Sequence, residues 1–395
     1  MFNSIISSLK SSFQGLFPLP EIVTILAIVI FVVLIFKRLK LSPVIGYIVA
    51  GAVIGPYGLK ISGFNDHTKA IAEFGIVFLL FSIGLELTFK RLLDMRKLIL
   101  ILGSLQFFVT SLIFGFICFY FTKNIATSLI VATSLSLSST AIVLKLISEN
   151  RQGNSLVGKS SLSVLLFQDL AVIPIFVLIP LLSQNSIDLF SISVALIVKS
   201  MIALSIIFLF GHFLIRPIFH QIAASKNNDL FIATTLLIIL LSSWVTHQMG
   251  LSLALGAFIS GVIIADTEFR HQVESNISQF TGLFLGFFFL SEIGMHIDLS
   301  LIIDKLGLIA LGAISLIAIK GLVIFAICKL NNFETNKAIN VALLLSQSGE
   351  FAFVLFELAN RDNLISNNNF HYLSVIVGIS MALTPFLANL GEYIE

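Results

Sequence analysis

Charge is what this sequence has least of. Of its 395 residues 11% are charged and 57% are hydrophobic, and the formal net charge is +2. So small a charge provides no strongly basic surface, which argues against nucleic acid as a partner. Cysteine is nearly absent. Cys118 and Cys328 both lie in apolar runs, where a free thiol behaves as a small hydrophobe, so neither a disulfide nor a bound metal is expected. The first 19 residues lack a basic start and a long apolar core, so they do not read as a secretory signal.

What the chain does have is apolar length. Several runs exceed the ~20 residues that cross a bilayer. The fold class is therefore all-α and polytopic, with the lipid bilayer as its surroundings. Thirteen spans are expected, near 21–36, 42–58, 70–89, 98–121, 125–147, 159–182, 189–213, 229–248, 250–266, 278–297, 305–329, 336–359 and 370–391. Before them, Phe2, Ile5, Ile6, Leu9 and Phe13 recur at helical spacing against a serine-rich face. Residues 1–20 thus read as an interfacial segment.

Loop charge sets the orientation. With the N-terminus outside, fifteen lysines and arginines fall inside and six outside, while Lys199 and Lys320 remain within spans. The positive-inside rule then favours N-out, C-in, and a cytoplasmic C-terminus in a cell (inner) membrane.

The chain also repeats itself at a constant offset of 210 residues. Leu41, Ser42, Gly46, Gly51 and Ile54 match Leu251, Ser252, Gly256, Gly261 and Ile264. Phe74, Phe78, Leu80, Ile83 and Gly84 match Phe284, Phe288, Leu290, Ile293 and Gly294. Val131, Ala132, Leu135, Ser136 and Ser138 match Val341, Ala342, Leu345, Ser346 and Ser348. The offset carries the first span onto the eighth, an odd shift, so the second copy crosses in the opposite sense. Two inverted repeats with the seventh span as linker predict a site near the midplane.

Polar residues within apolar runs mark that site. Asp169 lies in the middle of the sixth span. A carboxylate at that depth costs about 2.5–3.5 kcal/mol on insertion scales, so an ion or proton site is the functional reading. The bland one is an acid that packs helices. The fifth span holds Ser136, Ser138, Ser139 and Thr140, and its repeat partner holds Ser346, Gln347, Ser348, Gly349 and Glu350. Such segments can break a helix in mid-membrane and expose its ends to a cation. Serines that hydrogen-bond between packed helices are the plainer alternative. Glu350 could cap a half-helix N-terminus. Lys320 is too central in its span to reach water easily and is assigned an internal pairing or helix-end role. Lys199 reads as a linker-helix lysine. Glu73, Glu86, Glu292, His296 and Asp298 lie nearer span ends and read as solvated or interface charges; His212 and His247 are assigned no role.

Ser138-Ser139-Thr140-Ala141, Leu166-Phe167-Gln168-Asp169-Leu170-Ala171-Val172-Ile173-Pro174, Gly256-Ala257-Phe258-Ile259-Ser260-Gly261-Val262 and Ser348-Gly349-Glu350-Phe351-Ala352-Phe353 closely resemble the monovalent cation:proton antiporter-2 family. The nearest branch is the potassium-efflux, Kef-type antiporters, and the resemblance runs from about residue 21 to 391. It implies a sodium/proton antiporter-like fold with crossing discontinuous helices. The dimer domain would comprise residues 21–97 and 229–299, the core domain 98–182 and 305–391, and the linker helix 189–213. The ion-binding acid would be Asp169 and its polar partner Gln168. The family also implies a homodimer, a core that moves against the dimer domain, no cofactor and no enzymatic reaction. Two departures stand out. Kef-type antiporters usually continue into a soluble nucleotide-binding domain, whereas this sequence stops at Glu395 and has no Gly-x-Gly-x-x-Gly after a strand, so that regulatory domain is expected to be absent. Ser291-Glu292 also replaces the small or apolar residues expected before Gly294-Met295.

Neutral Gln168 beside Asp169 leaves one titratable site, for which a proton and a cation compete. Relatives with two adjacent aspartates are associated with electrogenic sodium exchange. The Gln-Asp pair therefore resembles the electroneutral, K+-preferring type, with Na+/H+ exchange as the alternative. A gated cation channel would need a continuous polar path, and no filter-like carbonyl motif is present. A non-transporting sensor would have no need of the intact Asp169 and two polar breaks.

Overall fold

A computed structural model describes residues 19–38, 43–61, 66–86, 95–153, 155–183, 216–224, 227–248, 253–295, 297 and 305–395. The described residues with regular structure are helical. The expected interfacial segment (except at its end), the linker helix, Lys199, His212, His296 and Asp298 lie outside the described residues. Among the described residues seven helices are long and apolar enough to cross a membrane, or eight if one bent pair counts as a span. The chain is a multi-pass membrane protein.

The helices sort into two packed groups. The first holds α1 (Leu19–Arg38), α2 (Pro43–Ile54), α3 (Asp66–Glu86), α8 (Arg216–Ala224), α9 (Asn228–Gln248), α10 (Leu253–Ala265) and α11 (Arg270–Gly294). Within it α3 lies against α10 and α11, α2 against α1 and the last turns of α11, and α9 against α10. The second holds α4 (Arg96–Thr122), α5 (Ile125–Ser136), α6 (Thr140–Glu149), α7 (Leu156–Ser183), α12 (Leu306–Leu330), α13 (Thr335–Leu345), α14 (Glu350–Arg361) and α15 (Asn367–Ile394). Here α4 packs on α5 and α7, α12 on α13, and α15 on α12, α13 and α14. Aromatic side chains bridge the two groups, as where Phe289 of α11 meets Phe353 of α14 edge-on at 5.6 Å.

The spans predicted to be discontinuous are broken. In the first, helical backbone stops at Ser136 and resumes at Thr140. The second, α13–α14, is bent by 41° at its break. Side-chain contacts fix which ends share a face. Thr127 Oγ1 donates to the Leu364 carbonyl at 2.6 Å, so α5 begins where α14 ends. At the opposite face Asn150, after α6, donates to Glu392 near the end of α15 at 2.8 Å. The two broken helices therefore run through the bundle in opposite directions.

Candidate functional site

The first break follows from local chemistry. Residues 133–140 read Thr-Ser-Leu-Ser-Leu-Ser-Ser-Thr, and short hydroxyl side chains compete with helix for the backbone's hydrogen bonds. Leu137 adopts an extended conformation, and Ser139 caps α6 by accepting from the Ile142 N–H at 3.2 Å. In the second break Gly349 is extended at the N-cap of α14. There the two breaks touch: the Gly349 N–H donates to the Leu137 carbonyl at 3.0 Å. A Cβ on Gly349 would stand 2.6 Å from the carbonyl carbon of Ser138, so only glycine permits this approach.

α7 runs past the crossing and presents Gln168 and Asp169 to it. Gln168 Oε1 accepts from the Ser138 N–H at 2.7 Å. Its Nε2 donates to Gln106 Oε1 at 2.7 Å and to the Ser136 carbonyl at 3.2 Å. The amide thus takes up a backbone donor and a backbone acceptor released by the break. Asp169, 3% exposed, accepts from Thr140 Oγ1 at 3.2 Å at the first residue of α6. Pro174 carries no N–H, which leaves the Leu170 carbonyl, next to Asp169, without its helical donor.

The crossing has a basic and an acidic pole. Lys320 of α12, with no exposed surface, donates from Nζ to the carbonyls of Leu135, Leu137 and Gln347 at 3.2, 2.8 and 2.8 Å. These acceptors end α5 and enter the second break, where half-helix dipoles are negative. Burying an ammonium is costly unless its donors are satisfied, and here all three are. At the other pole Glu350, buried in the first turn of α14, lies against Ser139 and the Ala141 backbone at the start of α6. An acid there faces two helix N-termini.

Of the residues singled out in the sequence, Ser136, Ser138, Thr140, Gln168 and Asp169 come together directly. Ser138 Oγ also donates to the Leu345 carbonyl at 2.9 Å, which ties the breaks again. Ser348 reaches the first break by donating to the Ser134 carbonyl at 3.3 Å. Ser346 does not join the cluster; its hydroxyl bonds back to Leu343 within its own helix at 3.0 Å. Gln106 was missed. Its signal was available: an amide inside the apolar run of α4. It reaches the site because Gly103, one turn earlier, lets α4 approach Phe167, where a Cβ would come within 2.3 Å.

Residues 23–389 match the family described as "Sodium/hydrogen exchanger, transmembrane". The chain is 45% identical over 385 residues to the K(+) efflux antiporter 1, chloroplastic, of Arabidopsis thaliana, with 94% of this chain and 32% of that protein covered. It is 45% identical over 379 residues to K(+) efflux antiporter 2, chloroplastic, of the same plant, with the same coverage of each. The chain thus spans about a third of the length of these relatives. The solved sodium proton antiporter MjNhaP1 from Methanocaldococcus jannaschii superposes with a TM-score of 0.63, 16% identity, and coverage of 95% of this chain and 99% of that one.

Proposed function

Because the chain belongs to the sodium/hydrogen exchanger family of transmembrane proteins, we propose that it is a secondary antiporter exchanging K+ for H+ at Asp169. One observation carries the reading. The Asp169 carboxylate meets the start of α6 inside the crossing, beside an amide already committed to holding the break. Proton and cation then take turns on Asp169, with the Thr140 hydroxyl and the Leu170 carbonyl as neutral oxygens nearby. K+ is preferred to Na+ because the relatives are named for K+ efflux. Gln168 positions the backbone and adds no charge. No cofactor takes part, and nothing is chemically transformed.

In this reading the second group is the core, which slides as an elevator against a dimer domain formed by the first. The dimer domain pairs with a second copy of the chain. The membrane is a cell (inner) membrane, with the N-terminus outside.

Purified protein in proteoliposomes tests the exchange. An imposed K+ gradient should drive a pH change inside the vesicles, and no steady current should flow. A current without proton coupling would make this a channel.

One proton for one monovalent cation moves no net charge. Membrane voltage is worth about 2.3 kcal/mol per charge per 100 mV, so an electroneutral cycle does not respond to it at equilibrium. Clamping the potential at two values with a pH-inert ionophore should leave the final K+ gradient unchanged. A gradient that shifts with voltage would end the one-for-one stoichiometry.

A further inference from the structure

The site described above makes no use of Arg361, at the end of α14. Its Nε donates to Glu357 Oε1, one turn back, at 2.8 Å. Its Nη1 crosses to the other helix group and donates to Glu73 Oε1 of α3 at 2.7 Å. Its Nη2 stands 3.6 Å from Glu292 Oε2 in the last turns of α11, an ion pair without a hydrogen bond. The cluster is partly withdrawn from solvent: Arg361 is 23% exposed, Glu292 and Glu357 are 7% exposed, and Glu73 is 37% exposed. One guanidinium therefore joins α14, in the second group, to two helices of the first. Glu292 is the acid that departs from the family pattern, and here it faces a cation.

Among the described residues this cluster is found on one face. At the 210-residue offset the counterparts of Arg361, Glu357 and Glu292 are Arg151, Ile147 and Ser82, and that of Glu73 is Leu283. Arg151 is exposed, and its repeat-related neighbours carry no charge. It follows α6, whose end lies opposite the end of α14.

Inverted repeats make the inward- and outward-open states near-equivalents, so whatever the repeats do not share biases the balance between them. We propose that Arg361, Glu73 and Glu292 form a one-sided latch that holds the two helix groups together on the face where α14 ends. The latch favours the state closed on that face, and its contacts must break for the site to open there. Arg361 is thus a positioning residue in the transport cycle, and the proposal rests on the alternating-access reading above.

The test is a distance measurement on the full chain in lipid nanodiscs. Cys118 and Cys328 are first replaced by alanine, and spin labels are placed at Tyr57→Cys and Asn368→Cys. Both positions are exposed, one in each group, near the latched face. Pulsed electron resonance should resolve a shorter and a longer separation. Arg361→Met should raise the share of the longer one by at least about threefold, the order expected for partly buried ion pairs. Glu73→Gln, which removes one crossing contact, should raise it less; this variant also decides the matter if Arg361→Met does not fold. Two separations whose proportions neither variant changes would overturn the latch. A single separation in every variant would overturn both the latch and the alternating-access reading beneath it.

Discussion

The two helix breaks are built alike and equipped differently. Each interrupts a helix at the same position of its repeat, and each leaves a backbone N–H that a neighbouring helix must satisfy. The Ser138 N–H donates to Gln168 of α7, and the repeat-related Ser348 N–H donates to the Ser380 hydroxyl of α15 at 3.2 Å. Yet the positions of α15 that correspond to Gln168 and Asp169 are Gly378 and Ile379. The fold supplies the broken geometry twice and a carboxylate at this position of the neighbouring helix once. Duplication of a scaffold does not require duplication of its chemistry; the second break supports the first.

The sharpest way to test that division is Asp169→Asn. It should abolish K+-driven pH change in proteoliposomes while the purified protein keeps its helical content and elution volume. Exchange at the wild-type rate would remove Asp169 from the mechanism and with it the contrast between the breaks.

Lys320→Met attacks what the breaks share. The thioether keeps the bulk of the side chain but takes the ammonium donor from the buried carbonyls of Leu135 and Gln347 and leaves the Leu137 carbonyl with the Gly349 N–H alone. At about 1–3 kcal/mol for each unsatisfied buried group, the loss should lower the unfolding temperature by many degrees in detergent and suppress transport with it. An unchanged melting curve would mean that the carbonyls find other partners.

Gly349→Val isolates the contact between the breaks. Its Cβ would meet the Ser138 backbone, so the chains must separate. Overpacking of this kind costs about 1–3 kcal/mol, readable in the same melting curve. Gly115, whose nearest neighbour to an added Cβ is 3.7 Å away, should accept alanine without loss and serves as the control.

The smallest effect should separate two serines that look equivalent in the sequence. Ser138→Ala removes a hydroxyl that links the breaks, for about 1 kcal/mol. Ser346→Ala removes only a bond back to its own helix and should stay within about 0.5 kcal/mol. Equal losses at both would mean that the pairing between breaks adds nothing to stability.

Much of this was legible beforehand because it is local or periodic. The scarcity of charge and the length of the apolar runs determined that the chain lives in a bilayer. The constant offset determined the inverted architecture, and an acid in mid-span marked the site. The serine run and Gly349 marked the breaks, since hydroxyl competition and the lack of a Cβ act within a few residues. What the sequence could not decide was partnership between distant helices. Gln168 finds Gln106, 62 positions away, and Lys320 finds carbonyls 183 and 185 positions away. Glu292 read as a solvated or interface charge near a span end, and only packing set it 3.6 Å from Arg361. Ser346 and Ser138 differ only because one hydroxyl faces its own helix and the other faces the crossing. Those outcomes depend on the rotation, depth and tilt of each helix against its neighbours. In lipid, where hydrophobicity scarcely distinguishes one helix face from another, close packing and unsatisfied polar groups set them.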